Sequence, residues 1–132
     1  MRAVYYRARD GSEPVREFVR HLKPLKRKVV IENQIARLNI LAENDPPLPF
    51  PHSSQVKGEL RELRCHFGRD LYRIFYRRSQ NLFVLLRIIE KRSATLPPEE
   101  IEIALKLWQD FVERMAPEPP RQPPRAGGSD AP

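Results

Sequence analysis

Between Lys57 and Arg92 the chain reads KGELRELRCHFGRDLYRIFYRRSQNLFVLLRIIEKR, three strand-like runs separated by two short turns. Runs spaced this closely leave room for hairpin connections only, so the segment is expected to fold as an antiparallel meander. Phe67-Gly68-Arg69-Asp70 and Ser79-Gln80-Asn81 supply the turn residues. The same stretch is strongly basic. Lys57, Arg61, Arg64, Arg69, Arg73, Arg77, Arg78, Arg87, Lys91 and Arg92 face only Glu59, Glu62, Asp70 and Glu90, so it holds +6 of the chain's net charge of +7. A sheet with this balance suggests an anionic partner.

Side chains alternate between the faces of a strand, which separates the residues of each run. Glu62, Arg64 and His66 share one face of the first run, and Leu63 and Cys65 the other. In the second run Tyr72, Ile74 and Tyr76 oppose Leu71, Arg73, Phe75 and Arg77. In the third, Leu82, Val84, Leu86 and Ile88 oppose Phe83, Leu85, Arg87, Ile89 and Lys91. One consistent arrangement puts Leu63, Cys65, Ile74 and the Leu82 to Ile88 set against helices. Glu62, Arg64, His66, Arg73, Arg87 and Lys91 then gather on the opposite face.

The flanking segments supply those helices. Ala3 to Ala8 is short and aromatic and runs into the turn pair Asp10-Gly11, so it reads as a first strand. Ser12 is placed to cap a helix in which Val15, Phe18, Val19 and Leu22 recur at helical spacing, with Pro14 accepted in the first turn. A second helix from Leu25 to about Asn44 carries Val30 or Ile31, Ile35, Leu38 and Leu41 on one stripe. These two form a hairpin. The proline-rich Asp45 to Ser54 is expected as a surface connector. Pro97-Pro98-Glu99-Glu100 opens a last helix with Ile101, Ala104, Leu105, Trp108, Phe111 and Met115 along one stripe, ended by Pro117. The fold class expected is α+β: a small antiparallel-rich sheet packed on an N-terminal helix hairpin and a C-terminal helix. Residues 1–116 make the domain, and 117–132 a disordered proline-rich tail.

Composition narrows the chemistry. At 132 residues the chain fits one domain. A single cysteine, Cys65, excludes an internal disulfide, and no apolar run is long enough for a membrane span. The N-terminus lacks the apolar core of a signal peptide, so a cytoplasmic location is expected, with no membrane partner. Zinc spacings, phosphate-cradling glycine loops, HExxH and nucleophile elbows are all missing from the sequence. No metal and no cofactor is therefore expected.

Cations, a carboxylate, a histidine and tyrosines about one sheet suffice for RNA cleavage without metal. Such cleavage needs a base for the ribose 2′-OH, cations for the charge gathering on phosphorus, and an acid for the leaving 5′-oxygen. Arginine suits the second task, because its planar fork grips two phosphate oxygens and stays charged. The same arginines have a structural alternative, solvation or pairing with Glu62, and those near turns can lay their stems on the core. Tyr72, Tyr76 and the Trp108 stripe read as core.

The order of elements, together with KGELRELR, DLYRIFY and VLLRIIEKRSATLPPEEIEIA, resembles the phage-derived Gp49-like (HigB-type) toxins of the RelE/ParE superfamily over about Val15 to Val112. The resemblance implies a RelE/ParE-like domain that enters the ribosomal A site and cuts mRNA, neutralised by a small helix-turn-helix antitoxin. Residue by residue it implies Glu62, Arg64, Arg73, Lys91 and Arg92 as the catalytic set. Lys57, Arg61, His66 and Arg87 are then RNA contacts, with Lys57 an alternative to Glu62 as base. This chain departs from the pattern at Arg61, where the family often has an aromatic residue, and at Ser93-Ala94-Thr95-Leu96, where it is lysine and threonine-rich. The function expected is a type II toxin acting as a ribosome-dependent mRNA endonuclease. The alternatives are a non-catalytic binder of RNA or of a partner, and a ParE-like gyrase-inhibiting toxin.

Overall fold

The computed structural model describes residues 1–90 and 96–115. The elements run β1 (Arg2–Tyr5), α1 (Pro14–Arg20), α2 (Leu25–Asn39), β2 (Ser53–Lys57), β3 (Leu60–Phe67), β4 (Asp70–Ser79), β5 (Leu82–Glu90) and α3 (Pro98–Met115). The five strands form one sheet in the order β1-β5-β4-β3-β2. All neighbours are antiparallel except β1, which lies parallel to β5. This is the α+β arrangement expected from the sequence.

The meander follows from its turns. Gly68 and Gln80 both adopt positive φ, which lets β3 fold onto β4 and β4 onto β5 through tight connections. β2 is an additional short strand at the end of the proline connector. Ser53 pairs with Leu63, and the strand stays at the sheet edge, as a segment leaving prolines must. Both Lys23-Pro24 and Phe50-Pro51 are cis.

Helices cover both faces. α1 and α2 bury Val15, Val19, Ile31, Ile35 and Leu38 against Leu63, Cys65, Tyr72, Ile74 and Tyr76. On the opposite face α3 buries Ala104 and Phe111 against Val4, Tyr6, Leu60, Phe75, Val84 and Leu86. β4, central and covered on both sides, is buried from Asp70 to Tyr76.

The expected grouping of Leu82, Val84, Leu86 and Ile88 on the hairpin side is corrected by this arrangement. Phe83, Leu85 and Ile88 face α1 and α2, whereas Val84, Leu86 and Ile89 face α3. The cause is a bulge: Phe75 pairs with Arg87 and Tyr76 with Leu85, so Leu86 is an extra residue that inverts the alternation within β5. Strict period-two reasoning cannot register such an insertion. Two further expectations change. Ser12 bonds the Asp10 carboxylate rather than capping α1, whose N-cap is Glu13. α2 ends at Asn39, where the Asn39 side chain accepts from the Ala3 amide at 2.6 Å and its carbonyl from the Met1 ammonium at 3.3 Å.

The C-terminal half of α3 is fastened to the segment that follows β1 by polar contacts. Tyr6 donates to Asp110 Oδ2 at 2.5 Å, Arg9 Nε bonds Asp110 Oδ1 at 2.8 Å, and Arg114 Nε bonds Oδ2 at 3.0 Å. Burial and the neighbouring carboxylate push the Tyr6 hydroxyl up to about 12. Burial raises Asp110, but the Tyr6 and Arg9 hydrogen bonds and the Arg114 charge outweigh it, and the net shift is downward. Burial alone pushes the Cys65 thiol up to about 12.

Two outcomes are expected. Phe111→Ala should cost about 3–5 kcal/mol, read from the urea unfolding midpoint, because it opens a cavity where α3 meets the sheet. The folded protein holds the Tyr6 and Cys65 protons beyond the ordinary values of 10.0 and 9.0. Their contribution to stability should therefore be level from neutral pH to about pH 9 and fall as pH rises towards 12, when the unfolded chain releases protons the folded chain keeps. Thermal unfolding across that range checks the sign, and a midpoint that rises would contradict it.

Candidate nucleic-acid interface

Alternation along β3 and β4 puts Glu62, Arg64 and Arg73 on the face of the sheet that α3 covers in part. Arg64 and Arg73 are direct cross-strand partners. Two guanidiniums so placed repel, and a carboxylate is needed between them. Glu62 supplies it: Oε1 accepts from Arg64 at 2.8 Å and Oε2 from Arg73 at 3.3 Å. Ser54 Oγ also donates to Oε1, at 3.1 Å.

The three groups differ in access. The side chains of Glu62 and Arg73 are 4% and 2% exposed, and that of Arg64 is 15% exposed. Arg64 thus lies at the rim of a cluster whose other members are inside. Its Nε is buried with no hydrogen-bond partner among the described residues. A buried donor in that state costs about 1–3 kcal/mol, which an incoming acceptor can recover.

The remaining expected residues are distributed differently. Arg87 shares the face, but its Nε contacts Glu100 Oε2 at 2.5 Å and so anchors the first turn of α3. Arg61 points to the opposite face, where it bonds Ser53 Oγ at 3.2 Å and the Leu48 carbonyl at 3.1 Å, tying down the connector. His66 is exposed two residues beyond Arg64, and Lys57 is exposed at the end of β2. Lys91 and Arg92 lie outside the described residues.

The structure adds residues that charge counting missed. Phe50, in the connector, is 71% exposed, with its ring centre 5.4 Å from the Arg64 guanidinium carbon. Pro51 and His52 lead from it into a cleft of about 320 Å³ that also includes Asn33, Gln34, Arg64 and His66. Gln34 Nε2 donates to the Arg64 carbonyl at 2.7 Å. An aromatic residue among prolines was the available sequence signal. Arg77, at the other end of β4, lies 4.5 Å over the Trp108 ring and bonds Glu59 at 2.7 Å. Among the described residues no cluster of three or more histidine, cysteine or acidic side chains could hold a metal ion, and no helix is long and apolar enough to cross a membrane.

The fold and this face define a small basic α+β domain whose mixed sheet carries a carboxylate-bridged arginine pair. Its relatives are found by sequence: the model of the phage-derived Gp49-like protein family matches residues 17–109, and the chain belongs to that family. The family is associated with the toxins of toxin–antitoxin systems. No curated protein matches the chain.

Removing the bridging charge tests the cluster. Glu62→Gln should destabilise the protein by about 3–5 kcal/mol, because it leaves Arg73 buried without that counter-charge. The double change Glu62→Leu with Arg73→Met should recover much of the loss. Denaturant unfolding of the two variants beside wild type measures both, and equal losses would refute the coupling.

Proposed function

We propose that the protein is the toxin of a type II toxin–antitoxin system and acts as a ribosome-dependent mRNA endonuclease of the HigB and RelE type. The observation that carries this reading is the Glu62-bridged pair of arginines on one sheet face, in a chain of the Gp49-like family. In this reading residues 1–116 are the toxin domain and 117–132 a proline-rich appendage. The protein works in the cytoplasm, where a small helix-turn-helix antitoxin is its partner.

The burial of the cluster assigns different tasks to its members. Arg64, at the rim and with a buried, unpaired Nε that a modest side-chain rotation would expose, is the arginine that grips the scissile phosphate. Arg73 and Glu62 hold it in place from inside. Both Glu62 oxygens already accept hydrogen bonds, so taking the 2′-OH proton would require giving one up. Lys57, exposed beyond β2, is the other base in this scheme. Lys91 and Arg92, which directly follow β5 in sequence, neutralise the charge that builds on the phosphate. His66 and Arg87 lie along the path of the RNA backbone, and Arg61 supports the connector beside it.

A second reading, a non-catalytic binder of RNA, is favoured by one observation: Arg73 and Glu62 are nearly inaccessible to a substrate in the free protein. The two readings separate on ribosomes. Induced expression should arrest a bacterial host and produce new mRNA 5′ ends that depend on translation. Arg64→Ala should lower cleavage by about 10²–10³-fold, as loss of one charge-stabilising donor does elsewhere. Salt-sensitive RNA binding without new ends would support the binder, and DNA damage without mRNA cleavage would support a gyrase poison.

A further inference from the structure

Next to Arg64 the sheet has an open edge. The Arg64 amide donates to the His52 carbonyl at 2.8 Å, and the Arg64 carbonyl accepts from Gln34, so both of its backbone groups point away from β4. In an antiparallel ladder these directions repeat every second residue. The His66 amide and carbonyl therefore point to the same edge, and β2, whose pairing with β3 ends at Ser53 and Leu63, does not reach them. A donor and an acceptor side by side on a strand edge match the paired functions on the edge of a nucleobase.

The surroundings fit the same ligand. The cleft along this edge, about 320 Å³, is lined by the polar residues Asn33, Gln34, His52 and His66 together with Val30 and Pro51. Next in sequence to the lining residue Pro51 is Phe50, 71% exposed and flanked by Pro49 and Pro51, whose fixed φ angles restrict the backbone that carries the ring. The Arg64 guanidinium lies 5.4 Å from that ring. A large aromatic side chain held in water beside an arginine is a stacking platform for an unpaired base, and such platforms are how single-stranded RNA is commonly held.

We infer that the cleft between α2 and the open edge of β3 seats one unpaired nucleobase of an RNA strand, stacked on Phe50 and hydrogen-bonded along the His66 edge. The inference rests on the RNA reading above and deepens it. The strand would place a base in the cleft and an adjacent phosphate at Arg64, so base choice and phosphate grip are coupled through one residue. Phe50 is a binding residue here and takes no part in bond cleavage.

The test uses the full chain and a fluorescent 2′-O-methyl oligoribonucleotide, which lacks the nucleophile for cleavage. Wild type should bind it, and Phe50→Ala should bind roughly tenfold more weakly, within the range of one base–aromatic stack. An oligonucleotide of the same length with abasic positions keeps its phosphates but loses both the stack and the edge hydrogen bonds, so wild type should bind it at least as weakly as Phe50→Ala binds the normal strand. Phe50→Ala should distinguish the two strands less than wild type does. Phe50→Trp should restore binding and show fluorescence quenching on addition of the normal strand only. Equal binding of both strands by wild type, or an unchanged affinity in Phe50→Ala, would overturn the base seat while leaving phosphate recognition in place. Failure of wild type to bind either strand would instead remove the RNA reading, and the seat with it.

Discussion

Arg73 lies in the middle of the central strand, under helices on both faces, and the fold tolerates it there because Glu62 meets it from the neighbouring strand. Burying a guanidinium costs several kcal/mol unless a carboxylate and further hydrogen bonds replace its water. That requirement propagates. Glu62 must be inside to reach Arg73, its second oxygen must be satisfied, and Arg64 and Ser54 do so from β3 and β2. The register of three strands is thereby tied to one charge cluster. A slip of β3 by one residue would carry Glu62 and Arg64 together to the hairpin side and leave Arg73 buried without that carboxylate.

Net charge gives a poor picture of what the basic stretch offers to a partner. Arg61 holds the connector, Arg77 covers Trp108, Arg78 bonds the Glu43 and Gln80 carbonyls, and Arg87 holds the first turn of α3. Most arginines of the meander thus fasten loops and helices to the sheet through their long stems and planar heads. Among the described residues of the meander, Lys57, Arg69 and Arg78 are exposed to solvent, and Arg64 lies partly open beside the exposed His66. The long-range field of ten cations still attracts an anion, and the local geometry decides where it lands.

Phe50 and the cleft behind it extend the site away from the cluster of charge. The connector that carries Phe50 is kept on the sheet by Arg61, and the cleft floor is kept open by Gln34, whose amide occupies the Arg64 carbonyl. Residues read as scaffold and residues read as site are in this way the same residues, which explains why a proline-rich segment without lysine or arginine becomes part of a basic surface.

Much of the architecture is legible along the chain, because it depends on local chemistry. Gly68 and Gln80-Asn81 fix the turns of the meander, Pro98 with Glu99 and Glu100 starts α3, and the stripes of α1 and α2 fix the faces they bury. The co-facial set of Glu62, Arg64 and Arg73 also follows from alternation alone. Tertiary structure decided the rest. The bulge at Leu86 inverted the faces of β5, since an inserted residue depends on how two strands twist together and leaves no mark in hydropathy. The placement of α3 on the face opposite the hairpin decided that Arg73 is inside and Arg64 at the rim. Sequence determined which side chains share a face. Only packing, which depends on contacts between segments far apart in the chain, determined which of them water or a ligand can reach.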